Sequence, residues 1–160
     1  MRKVILALSF GKPADISPNR TIACLARKLS GNSELPIVAD RSIPLENSIQ
    51  VNYIGEEAEV HVSTLKLMEE FLALALKYGW DEVTMVSEPS YLKRCERDLK
   101  RVLKDNGRLC EISLYAFVAS DDSVWFDKQS DQWWIRSRRL FRLREALIMA
   151  LPWFLYKFIS

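Results

Sequence analysis

Glycine is scarce in this chain, 5 in 160 residues, and neither phosphate-cradling signature, G-x-G-x-x-G or the Walker pattern, occurs. Histidine is scarcer: His61 stands alone, so no ordinary zinc site can be built on histidines, and no metal is predicted. G-x-S-x-G is missing as well, which leaves no serine triad to argue for. The 3 cysteines, Cys24, Cys95 and Cys110, are odd in number and form no C-x-x-C pair, which points to neither a disulfide framework nor a metal clip. Cys24 and Cys95 fall in helical patterns and read as small buried hydrophobes. This usage fits a reducing, cytoplasmic compartment.

An excess of one charge is also lacking. Lys and Arg number 23 against 21 Asp and Glu, a net +2, which is no footprint for a duplex nucleic acid. Long apolar runs are lacking too. Met1 to Leu8 is too short for a signal peptide, and no small-residue cleavage site follows. Residues 146–159 are apolar but broken by Pro152 and Lys157, whereas about 20 residues are needed to span a bilayer. That stretch reads as a docked core helix, although Trp153, Tyr156 and Lys157 also suit a weak peripheral membrane contact.

What is present is an alternation of apolar runs and amphipathic stretches. Val4–Leu8, Leu35–Ala39, Glu82–Val86 and Ile112–Val118 read as strands, and Ile49–Ile54 as a minor one. Ser17-Pro18 reads as a helix cap followed by proline at the first helical position, with Ile22, Leu25, Ala26 and Leu29 at helical spacing. Ser63 or Thr64 caps a second helix whose apolar face is Leu65, Met68, Leu72, Ala75 and Leu76, closed by Gly79. Ser87-Glu88-Pro89 opens a third, running to Asp105, and Arg138 to Leu151 forms the last. No linker or repeat interrupts the chain, so residues 1–160 are expected to form a single α/β domain. Its architecture is a three-layer Rossmann-like sandwich on a mainly parallel sheet of four or five strands. In such sheets ligands lie at the carboxyl ends of the strands, near helix N-termini.

Three segments supply polar groups at that edge. Gly11, in Ser9-Phe10-Gly11-Lys12, reads as an ordinary tight turn or as an anion site. Ser87 and Ser90 lie at the start of the third helix, with Arg94 one turn further in, where hydroxyls, free N–H groups and a guanidinium suit an anion. Arg144-Glu145 in the last helix reads as a salt bridge or as part of the site. His61 and Tyr91 are the two candidates for proton handling, but no nucleophile–base pair can be named, so neither a reaction nor a cofactor is assigned. Trp125, Trp133 and Trp134 read as lid or core aromatics.

At these segments the chain resembles the YdcF/SanA/ElyC-like family of bacterial envelope-associated proteins. That family carries V-T-x-x-x-H-x-x-R-A at a strand–helix junction, where this chain has Val86-Ser87-Glu88-Pro89-Ser90-Tyr91-Leu92-Lys93-Arg94-Cys95. The arginine matches, serine stands for threonine and tyrosine for histidine. Arg144-Glu145 matches the family's Arg-Glu pair, and Thr64 matches the threonine of its S-x-N-T helix start. The glycine pair usual after the second strand is replaced by Val38-Ala39-Asp40-Arg41. The resemblance implies a Rossmann-like fold and a role around envelope or cell-wall precursors, with no settled reaction. The expectation is therefore a domain that binds a small anionic or nucleotide-like molecule through Gly11, Thr64, Ser87, Ser90, Arg94, Arg144 and Glu145. The alternative is a non-catalytic interaction module that works through its aromatic C-terminal helix.

Overall fold

The computed structural model describes residues 2–31, 34–45, 51–55, 63–108, 112–117 and 125–159. Five strands, β1 (Lys3–Ala7), β2 (Ile37–Asp40), β3 (Val51–Ile54), β4 (Glu82–Val86) and β5 (Ser113–Phe117), form one all-parallel sheet in the order β3-β2-β1-β4-β5. β1 is central: Leu6 pairs with Val38 on one side and Met85 on the other. Its residues from Val4 on are buried, as a strand covered on both faces requires.

The helices are α1 (Ser17–Ser30), α2 (Thr64–Tyr78), α3 (Pro89–Asp105), α4 (Arg138–Ala150) and α5 (Trp153–Ile159). α2, α3 and α4 pack in succession against one another, while α1 covers β1 and β4. Right-handed crossovers from a strand order that reverses at β1 put α1 on the opposite face from α2 and α3. The result is the expected Rossmann-like α/β sandwich, and its topological switch point lies between β1 and β4.

Several local expectations are corrected. Ile16, not Ser17, is the residue before α1, and it makes no side-chain cap; Ser17 is the first helical residue, so Pro18 is the second and not the first. Ser63 caps α2 by accepting from the amide of Lys66, and Gly79 closes it in the left-handed conformation. On α2, Leu76 is exposed, and Leu67 and Phe71 fill the core instead. Cys24 faces solvent, whereas Cys95 is buried. The C-terminal stretch is not one docked core helix. Pro152 separates α4 from α5, and only one side of each is buried. His61 and Cys110 lie outside the described residues.

Candidate functional site

A cleft opens at the carboxyl ends of β1 and β2, beside the switch point. Ser9, Gly11 and Lys12 line it from the β1–α1 loop, Asp40 from the end of β2, Tyr91 and Arg94 from the first turns of α3, and Arg144 from α4. A fully buried asparagine shapes the loop. Asn19 accepts from the amide of Phe10 (2.8 Å) and donates to the carbonyls of Gly11 (3.0 Å) and Pro13 (3.3 Å). Gly11 has φ +94°, and a Cβ there would come within 2.9 Å of Ile16, so the turn requires glycine. The amide of Phe10 is thus committed to Asn19 rather than open to an anion.

The charged wall comes from two helices. Phe141 of α4 packs edge-on against Phe10, ring centres 4.7 Å apart, which brings Arg144 and Glu145 over the mouth of the cleft. Glu145 is buried and stands between two guanidinium groups: Nη1 of Arg144 donates to its Oε1 at 2.9 Å, and Nε of Arg94 lies 3.1 Å from its Oε2. The second contact is an ion pair by distance but lies outside hydrogen-bonding geometry, so Arg94 Nε and Glu145 Oε2 are both buried without a hydrogen bond. The two guanidinium groups stack on neighbouring rings, Arg94 on Tyr91 at 4.8 Å and Arg144 on Trp134 at 5.0 Å. Burial, and then repulsion from Arg94, holds the Arg144 pKa below its ordinary value. Burial pushes the Glu145 carboxyl up, and the two arginines pull against it. Two cations therefore share one buried carboxylate at the edge of an open cleft.

Tyr91 is buried, its hydroxyl 3.1 Å from that of Thr64. Burial raises its pKa well above the ordinary value, so at neutral pH it offers a phenol and not a phenolate. At the far side Ser9 donates to Asp40 Oδ2 at 2.6 Å, and the amide of Ser42 donates to Oδ1 at 2.9 Å.

Gly11, Tyr91, Arg94 and Arg144 meet in the cleft, with Thr64 and Glu145 directly behind Tyr91 and Arg94. Ser87 is fully buried with its hydroxyl given to the carbonyl of Leu8, and it is not part of the lining. Ser90 is half-buried in the first turn of α3, also outside the lining. Glu88, not Ser87, caps that helix, accepting from the amide of Tyr91 at 2.8 Å. Asp40 was missing from the sequence-derived set. The available signal was an acid closing the second strand of a doubly wound sheet, the position that hydrogen-bonds a ribose hydroxyl in dinucleotide-binding folds. Among the described residues no group of three or more His, Cys, Asp or Glu side chains could hold a metal ion. A scan against protein-family models and searches of curated proteins and of solved structures returned no match to this chain.

Proposed function

We propose that the cleft binds a small anionic, nucleotide-like molecule, with Arg94 and Arg144 gripping its phosphate or carboxylate and Asp40 accepting from a hydroxyl. The observation that carries this reading is the charge imbalance at Glu145: two guanidinium groups and one buried carboxylate at the edge of an open cleft. An anion entering there completes the neutralisation and takes up the planar forks that arginine presents. The position at the switch point of a parallel sheet supports the same reading. The resemblance of the Val86–Cys95 stretch and of Arg144-Glu145 to the YdcF/SanA/ElyC-like family adds that the ligand belongs to envelope or cell-wall precursor chemistry.

The test is calorimetric titration with nucleotides, nucleotide-activated sugars and polyprenyl-phosphate analogues. Arg94→Ala should lower affinity by roughly 30-fold or more, the result of truncating a buried charge that a ligand anion meets. Asp40→Asn leaves both arginines in place and should weaken only ligands that carry hydroxyls. A folded Arg94→Ala protein with wild-type affinity would refute the assignment.

A further inference from the structure

We infer that the outer face of α4 and α5 is a peripheral docking surface for an anionic lipid bilayer. Both helices rest on α3 by one side only. Arg97 donates to the carbonyl of Ile148 in α4, the hydroxyl of Tyr156 donates to Asp98, and Arg101 lies 5.1 Å from the ring of Trp153. The opposite sides are apolar and meet solvent. On α4, Leu140, Leu143 and Leu147 recur at helical spacing, with Leu147 63% exposed; on α5, Phe154 is 64% and Phe158 87% exposed. Scattered surface leucines need no explanation, but two consecutive helices that bury their polar Glu145 and expose leucine and phenylalanine do.

Charge selects the occupant. Residues 132–160 hold six basic residues and a single acid, Glu145, which is buried; the other 131 residues hold seventeen basic and twenty acidic. The exposed surface of α4 and α5 therefore carries no carboxylate. Arg139 lies four residues before Leu143, Arg142 is next to it in sequence, and Lys157 sits beside Phe158. All three are exposed. Two copies of this chain joined through the face would bring those cations together, whereas an anionic headgroup layer neutralises them and receives the apolar side chains below. Neither helix is long and apolar enough to cross the membrane, so the face lies on it. This inference does not depend on the ligand of the cleft.

Sedimentation of the full chain with vesicles tests it. The protein should co-sediment with phosphatidylglycerol–phosphatidylcholine vesicles, not with phosphatidylcholine alone, and should be released by about 0.5 M salt, where headgroup charge is screened. Arg139→Ala should weaken partitioning roughly five-fold. A Phe154→Glu, Phe158→Glu double variant should abolish partitioning while keeping the wild-type melting temperature, since both side chains are exposed. Failure of the wild type to sediment with the anionic vesicles would overturn the inference. So would a double variant that still sediments, or a salt-resistant dimer in light scattering that Leu147→Glu dissolves.

Discussion

Ser87 directly follows β4, its hydroxyl donating at 2.7 Å to the carbonyl of Leu8, while the amide of Leu8 donates to the carbonyl of Val86. The pair of bonds ties the carboxyl ends of β1 and β4 together under the cleft. Replacing Ser87 with Ala leaves a buried carbonyl without that donor, so stability should fall by about 1–3 kcal/mol. Urea unfolding measures this. Ligand affinity should stay unchanged, because the side chain is fully buried behind the cleft; lost affinity at unchanged stability would return Ser87 to the ligand's contacts. Arg94 was legible because a guanidinium one turn inside a helix start is visible locally, whereas Arg144, in the middle of the last helix, was favoured through the resemblance of its Arg-Glu pair. Asp40 was not visible in the same way. An acid at a strand end carries no periodic signal, and its place beside Ser9 depends on β2 lying next to β1.

Elements follow the same division between local and tertiary causes. The four main strands and the first four helices were legible from apolar runs and 3.6-residue spacing, and Gly79 marked the end of α2 by the rule for left-handed caps. Pro152 was visible as an interruption, but neither the separate helix after it nor the buried side of α4 was read from the sequence. The buried side depends on Phe141 finding Phe10 and on Glu145 finding Arg94, both contacts distant in sequence. At the start of α3, Glu88 occupies the cap and its side chain accepts from the amide of Tyr91. Glu88→Ala should therefore cost about 0.5–2 kcal/mol in unfolding free energy and loosen the turn that carries Tyr91 and Arg94. Glu88→Gln keeps an oxygen acceptor and should retain most of that stability. Equal stability of Glu88→Ala and wild type in urea would show that the cap contributes nothing.

At the scale of the whole molecule, three carboxyl groups among the described residues, Glu88, Asp98 and Glu145, have pKa values raised by burial. Their hydrogen-bond donors and neighbouring arginines pull the other way without overcoming the burial. The folded state therefore holds these protons more tightly than the unfolded chain does. Stability from each group is fully present below its unfolded value, 3.8 for Asp98 and 4.5 for the two glutamates, and is lost as pH rises through the folded value. Lys3, raised chiefly by its hydrogen bond to Glu82, keeps its contribution below its ordinary 10.5 and so does not move in this range. Tyr91 and Cys95, held protonated by burial, are likewise constant. The unfolding midpoint in urea should accordingly be higher near pH 5 than near pH 8, and Glu88→Gln should flatten part of that slope. Protonation of Glu145 also frees Arg94 and Arg144 from their shared partner, so the affinity for an anion that stays fully charged, such as sulfate, should rise over the same interval. Stability that climbs from pH 5 to pH 8 would mean that the donors and arginines outweigh burial at these carboxyls; Glu145 would then stay ionised throughout, its two arginines would keep a net single positive charge, and the affinity for sulfate would not rise toward pH 5.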